Sequence, residues 1–284
     1  MTRREFLGAS AGAAVATALA IPPVRAAARP PVVPFTPDGL PLVDLHAHPD
    51  RSTIDDIVAL ARERGVTLGL VEHAGTKENV YPRLLSNDAE LLAWVRELEG
   101  KGVYKGVQAE WIDWSSGISK RALAALDYVL GDAMTFPGPD GRRMKLWEKE
   151  AVIDDDAQRF MERYVDWHVR LLHEQPFDLL ANVSWLPAKF AADYERLWTE
   201  KRVSRVVEAF ARRGVAMEIS SSYQLPKRSF LRVARAAGLK FTFGSNGRYP
   251  NMGKLDYSLE MARSLRLTAA DIWLPGASGP RAAG

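Results

Sequence analysis

The chain has no cysteine among its 284 residues, which excludes disulfides, thiolate metal sites and cysteine nucleophiles. Histidine is scarce as well, with five, so any metal would rest on a few imidazoles joined by Asp, Glu or Asn. A charge excess is also missing. The formal net charge is +3, and three arginines against one glutamate in the first 26 residues account for two of those charges. A nearly neutral body implies no nucleic acid or other polyanion partner; the expected partner is a small-molecule substrate. The apolar run at 8–21 is too short and too rich in Ala and Gly for a good membrane span. What remains is an ordinary globular composition, 47% hydrophobic and 26% charged, enough for one α/β barrel or two small domains.

The N-terminal stretch "TRREFLGASAGAAVATALAIPPVRAAA" sets Arg3 and Arg4 before Phe6-Leu7, then a weakly apolar run, then small residues around Ala26 to Ala28. It resembles a twin-arginine export signal over residues 1–28. That implies a periplasmic or otherwise exported protein, carried across already folded and without stable membrane association once the signal is removed. Residues 29–40, "RPPVVPFTPDGL", read as a proline-rich lead-in without regular structure. The remaining 41–284 show no composition break and read as a single domain.

Within that domain β-rich runs alternate with amphipathic segments. The pattern predicts strands at 41–48, 66–72, 103–110, 127–134, 178–184, 215–220 and 239–245. It predicts helices near 53–64, 87–100, 118–126, 154–174, 201–213, 227–237 and 255–265. Thr53 with Asp56 forms a capping-box pair, whereas Ser86 has only Ala89 three residues on. Repeated β-α units imply parallel strands with crossover helices, which an open doubly wound sheet and a closed barrel satisfy equally. The strand ends separate them. His46 and His48, Glu72 and His73, Glu110, Asp132, Asn182, Glu218 with Ser220, and Ser245, Asn246 and Arg248 all fall at C-terminal ends. Only a barrel brings seven such ends to one mouth.

The stretch "LVDLHAHPD" places His46 and His48 two residues apart at a strand's exit, on one face. Two ligands for one ion, or two solvated imidazoles, both fit this spacing. Together with "LGLVEHAG", "GVQAEW", "YVLGDAM", "DLLANVS", "MEISSS" and "FTFGSNGRYP", it resembles the polymerase and histidinol phosphatase (PHP) family over roughly residues 41 to 272. The resemblance implies a distorted seven-stranded (β/α) barrel of the TIM type with up to three catalytic metals. It sets His46, His48, His73 and Glu110 on metal-ligand positions, Glu110 on the carboxylate that bridges two ions. Five other ligand positions are altered. Met134 and Asn182 stand for histidines, Asn246 and Arg248 for an aspartate and a histidine, and no histidine follows His48 in "PDRSTI".

His46, His48 and Glu110, with the Asn246 carbonyl oxygen, could form a reduced site for Zn, Mn or Fe, holding one or two ions rather than three. The reading is then an exported metal-dependent hydrolase, a phosphoesterase by the family's commonest activity. The alternative is a catalytically inactive PHP-derived barrel that binds an anionic or sugar ligand. An amidohydrolase-type barrel shares the His-x-His strand end, but "DLLANVS" and "GSNGR" lack the later ligands it needs. Asp132 and Arg248 are the catalytic candidates, Asp132 as general acid or base. Arg248, Trp111 and Asn182 are the substrate-binding candidates. The Arg248 fork could clamp a phosphate or carboxylate, or pair internally with Glu72, Glu218 or Asp132. Trp111, Trp114 and Trp185 could wall the mouth or pack in the core. Glu218 reads as a residue that orients ligands, His168 and His173 as packing or surface residues, and 135–153 as a lid or a solvated insertion.

Overall fold

Seven parallel strands lie side by side in chain order. They are β1 (Val43–Ala47), β2 (Thr67–Ala74), β3 (Tyr104–Ala109), β4 (Tyr128–Asp132), β5 (Leu179–Ala181), β6 (Ala216–Ser220) and β7 (Phe241–Gly244). This computed structural model describes residues 30–276; the expected export signal at 1–28 and the last residues of the expected domain lie outside them. The sheet nearly closes on itself. His48 N–H donates to Gly247 O at 2.8 Å and Gly247 N–H to His46 O at 3.2 Å, joining β1 to the segment after β7. The result is a seven-stranded TIM-like barrel with helices between its strands.

Each predicted strand is present; most are trimmed by a residue or more at their ends, whereas β2 runs on to Ala74, two residues past its predicted end. The crossover helices start where capping chemistry permits. Thr53 accepts the Asp56 N–H and caps the helix Ile54–Glu63, as the Thr53 and Asp56 pair predicted. The helix Asp88–Leu98 is capped by Asn87, one residue beyond Ser86, because the Asn87 Oδ1 accepts the Glu90 N–H at 3.1 Å. Ser86 instead gives its own N–H and Oγ–H to Glu90. The helix Glu200–Arg213 ends on Gly214 at φ +66°, where a side chain would be strained. Among the described residues no helix is long and apolar enough to cross a membrane.

The insertion at 135–153 folds in part, with residues 139–142 and 147–150 exposed. Thr135–Pro137 and Arg143–Lys145 pair antiparallel, and Leu146 is buried. Arg143 donates to the Asn79 side chain and to Glu78 O, while the Lys145 ammonium sits 4.2 Å from the centre of the Tyr81 ring. The hairpin therefore pins segment 76–83 beside the mouth.

Two apolar cores result from strand alternation. The larger lies between sheet and helices; the smaller comprises Val43, Leu45, Val71, Tyr104, Tyr128, Leu130, Leu179, Ala181 and Ala216 and fills the barrel. Tyr128 is its central piece, fully buried, with its hydroxyl donating to Leu45 O at 2.8 Å. The ring has room only because Gly69 and Gly106 face it: a Cβ at either would stand 2.4 Å from a Tyr128 atom.

Candidate functional site

Above that apolar plug the inward-facing side chains turn polar. On β1 the change follows from a bulge. The register against β2 slips between Asp44 and Ala47, so three residues span what two span opposite. Leu45 stays in the barrel core, yet the next residue, His46, also reaches the interior. The bulge is held by the buried Asp44 carboxylate, which accepts the N–H groups of His46, Ser245 and Gly253 and the Ser245 hydroxyl at 2.5–3.1 Å. One buried carboxylate thereby ties β1 to the chain after β7 and sets where His46 points. The exits of β3, β5 and β7 turn sharply as well, with Trp111, Asn182 and Asn246 at φ +74°, +54° and +46°. Strained backbone of this kind is concentrated at functional sites.

The polar side chains form one continuous network. His46 bonds Glu218 Oε1 through Nδ1 at 2.7 Å and Gln108 Oε1 through Nε2 at 3.1 Å. Gln108 Nε2 donates to Glu110 Oε1 and to Asp132 Oδ2, each at 3.1 Å. Glu110 Oε1 also meets His73 Nδ1 at 2.7 Å, and its Oε2 accepts the Tyr81 hydroxyl at 2.8 Å. Asn182 donates its Nδ2 to Asp132 Oδ2 at 3.1 Å and its backbone N–H to Glu218 Oε2 at 3.0 Å. His48 lies between the other two imidazoles, 5.2 Å from the His46 ring and stacked 5.0 Å from His73. Gly244 makes the His46–Glu218 contact possible, since a Cβ there would stand 1.8 Å from Glu218 Oε1.

Burial and crowding set the protonation states. Burial works against charge on His46, but the Glu218 charge and hydrogen bond outweigh it and its pKa rises. With an acceptor beside each nitrogen, Glu218 and Gln108 favour the protonated form of His46. His48 goes the opposite way: burial, then the neighbouring His46, His73 and Arg248 charges, hold it well below the usual histidine range. Burial and the adjacent Glu110 push Asp132 up to about 7, against the pull of the Met134 N–H and His46. Burial likewise lifts Glu72 to about 7, opposed by Arg83. Two histidines and one carboxylate of the network, His46, His48 and Asp132, thus titrate away from their ordinary ranges, with Glu72 shifted beside them.

The structure gathers His46, His48, His73, Glu110, Asp132 and Asn182 at the mouth, and Asn246 meets His48 by a side-chain hydrogen bond. Met134 is buried, its N–H spent on Asp132 Oδ1. Arg248 stands apart at the rim. It pairs with Asp50 at 3.0 Å, not with Glu72, Glu218 or Asp132, because Asp50 lies on the loop that leaves β1 beside it. Trp114 is a core residue whose indole donates to Gln175, and half-buried Trp111 stacks on Trp167. Trp185 remains half-buried, edge-on to Tyr223. His168 packs in its helix against Tyr164 O, and burial lowers it to about 4.

Two residues at the centre escape sequence reasoning. Gln108 shares the inward face with Glu110 by the two-residue period of β3, a signal present in "GVQAEW" but masked by the neutral amide. Tyr81 comes from a loop, its ring 3.6 Å from that of His73, and nothing local predicts it. These contacts also decide whether a divalent ion fits. Both His46 nitrogens are occupied, and the Gln108 amide fills the space that His46, Glu110 and Asp132 enclose. Among the described residues no three His, Asp or Glu side chains are arranged to hold an ion. As arranged, the residues do not fit the metal centre that the PHP resemblance implies.

No family model and no curated protein sequence matches the chain. Among solved structures, the histidinol phosphate phosphatase of Lactococcus lactis subsp. lactis, complexed with zinc, L-histidinol and phosphate, is similar at a TM-score of 0.55. The two share 15% identity over 78% of this chain and 91% of that one. A truncated 3-deoxy-D-arabino-heptulosonate 7-phosphate synthase of Thermotoga maritima gives a TM-score of 0.28 at 14% identity, over 84% and 91% of the two chains. The likeness to the lactococcal phosphatase agrees with the nearly closed parallel sheet, and the fold is a PHP-like α/β barrel.

Proposed function

We propose that the chain is a PHP-type hydrolase of small phosphoesters acting at the C-terminal mouth of the barrel. The observation that carries this reading is the burial of His46, His48, His73, Glu110, Asp132 and Glu218 together. Six ionisable side chains out of water are a cost that a mere scaffold avoids, as the apolar lower half of the same barrel illustrates. The phosphoester class is supported by the fold likeness to an enzyme solved with phosphate. It is supported also by a hollow of about 510 Å³ at the rim, where Arg51, Arg248 and Lys254 outnumber the single carboxylate Asp256 among serines and Asn246. Cationic forks and ammonium groups suit a phosphate's oxygens.

The proton chemistry rests on this chain's own residues. His73, tied through Nδ1 to Glu110, presents Nε2 as a base toward water. As water attacks phosphorus its proton passes to that nitrogen. Asp132, protonated up to about pH 7, gives its proton to the ester oxygen as the P–O bond breaks. A divalent metal (Zn, Mn or Fe, one or two ions) is supported by the family resemblance and by the zinc of the lactococcal enzyme. It would need a rearrangement around Gln108, so no step is routed through it. Export by the twin-arginine route belongs to the same proposal, supported by Arg3 and Arg4.

The test is phosphate release from a panel of small phosphomonoesters, by chelator-treated protein and by protein given Zn²⁺ or Mn²⁺. Expected is turnover in the chelated sample, with His73→Ala and Asp132→Asn each lowering kcat/KM by about 100-fold or more. Turnover only with added metal overturns the metal-independent steps. No release under any condition overturns the hydrolase and leaves a barrel that binds an anionic or sugar ligand.

A further inference from the structure

We infer that Trp185 and Tyr223 form a seat for a planar aromatic ring beside the barrel mouth, so that the phosphoester taken there is one whose leaving group carries such a ring. This rests on the phosphoester reading of the mouth and narrows its substrate class. The two side chains come from neighbouring strand exits, after β5 and β6, and their ring centroids stand 6.5 Å apart at 72°. A flat group laid on one ring therefore meets the edge of the other. Offset-stacked and edge-to-face contacts are the arrangements that aromatic groups prefer. Trp185 is half-buried and Tyr223 is 38% exposed, so each has surface left to offer.

Both residues are held on short, braced turns. Trp185 N–H donates to Asn182 O at 3.2 Å, so its turn closes directly on a residue of the polar network. Behind it the Ser184 hydroxyl accepts from the Tyr194 hydroxyl at 2.7 Å, and Ser184 O accepts the Trp198 indole N–H at 2.9 Å. Tyr223 lies at the tip of a loop whose base is closed by Ser220 and Leu225, which exchange backbone hydrogen bonds at 2.7 and 3.2 Å. Its neighbours Ser222 and Gln224 line the rim hollow together with Arg248. The charges around its hydroxyl place it between that hollow and the mouth: burial, then Asp132, push its pKa up, Arg248 pulls it down, and Glu218 adds to the rise. The polar tips are also unspent. Buried Trp94, Trp114, Trp167 and Trp198 each give the indole N–H to an internal acceptor. Among the described residues, the Trp185 indole and the Tyr223 hydroxyl have no such partner and meet each other only as rings.

The experiment is calorimetric titration of the full-length protein near neutral pH with phenylphosphonate and with methylphosphonate, which carry the same anionic group and are not hydrolysed. Wild type should bind phenylphosphonate at least about tenfold more tightly, the gain expected from covering one ring. Tyr223→Ala should cut that ratio to about threefold or less while leaving methylphosphonate affinity unchanged, and Tyr223→Phe should keep it. Trp185→Ala should act as Tyr223→Ala does. Tyr223 stands at an exposed loop tip, so its alanine variant carries the test if Trp185→Ala does not fold. Equal binding of the two probes by wild type, or binding of neither, overturns the inference, as does a ratio that survives Tyr223→Ala or is lost in Tyr223→Phe. Phosphate release from phenyl phosphate is followed separately. A ring preference without release fails the hydrolase reading and leaves the seat, whereas release without a ring preference does the reverse.

Discussion

The lower and upper halves of the barrel interior are built by the same seven strands and obey opposite rules. Below, Val43, Leu45, Tyr128, Leu130 and Leu179 pack around one buried ring. Above, one or two residues further along each strand, His46, Gln108, Glu110, Asp132 and Glu218 exchange hydrogen bonds with hardly an apolar atom between them. The apolar half gains stability from each contact it makes. The polar half recovers through hydrogen bonds a desolvation cost it need not have incurred. Chemistry can therefore vary above while the fold is secured below, and the two halves should answer mutation differently.

The largest effect is expected in the lower half. Tyr128→Ala removes a fully buried ring and leaves the Leu45 carbonyl without its donor, and should cost about 3–5 kcal/mol in urea unfolding. A loss below about 1 kcal/mol would mean that the barrel interior is not the stabilising core. At the boundary, Gly244→Ala forces a methyl against Glu218 Oε1 and should cost about 1–3 kcal/mol. Combined with Glu218→Ala, which removes the closest contact but leaves the His46 Cβ at 2.8 Å, the cost of the glycine change should fall without vanishing. A double-mutant cycle reads this coupling directly.

The upper half should show a change of opposite sign. Asp132 carries a pKa raised from 3.8 to about 7, so the folded state holds its proton longer than the unfolded chain. Its contribution to stability is full below about pH 4, is lost as pH rises to about 7, and is a constant penalty above that. Three units correspond to about 4 kcal/mol, from which weaker acceptor bonds in the asparagine variant subtract about 1.5–3 kcal/mol. Asp132→Asn should therefore be about 1–2.5 kcal/mol more stable than wild type at pH 8, and the advantage should shrink and reverse toward pH 4. His48 and His168, with lowered pKa values, change stability in the other direction below pH 6.5. The difference between the two proteins' melting curves cancels them. A difference that does not vary with pH would return Asp132 to an ordinary ionised carboxylate.

The smallest effect is expected at the rim. Arg248 is about a third exposed and pairs with an equally exposed Asp50, so Arg248→Ala should change stability by less than about 1 kcal/mol. If the guanidinium serves as an anion clamp, the same variant should bind inorganic phosphate several-fold more weakly, and lysine should restore only part of the loss. Equal phosphate binding by the wild-type and alanine proteins would leave Arg248 as the partner of Asp50 alone.

Seven strands and seven helices could be read from alternation and from caps such as Thr53, because these signals are local in the chain. Polar residues at each strand end could be read as well, and their convergence needed only the assumption of a closed sheet. Gln108 went unnoticed because an amide carries no charge and no reactivity until three partners are known. Tyr81 went unnoticed because its contact with His73 and Glu110 depends on a loop pinned by a hairpin 60 residues later in the chain, near Arg143. The partner of Arg248 is not legible in the sequence for the same reason, since Glu72, Glu218 and Asp132 are equally plausible there and only proximity in the fold selects Asp50.

By itself the sequence determined what repeats at short range: strand periodicity with its inward and outward faces, helix starts, and ionisable residues at the strand exits. Only the tertiary structure decided what those residues are to one another. The β1 bulge turned His46 inward, closure of the sheet set Asp44 against Ser245 and Gly253, and the packing of three strand ends placed the Gln108 amide between the His46 ring and two carboxylates. The physical reason is that a side chain's period follows from its own backbone, whereas its protonation state and its capacity to hold an ion depend on charges within a few ångströms, contributed by segments far apart in the chain.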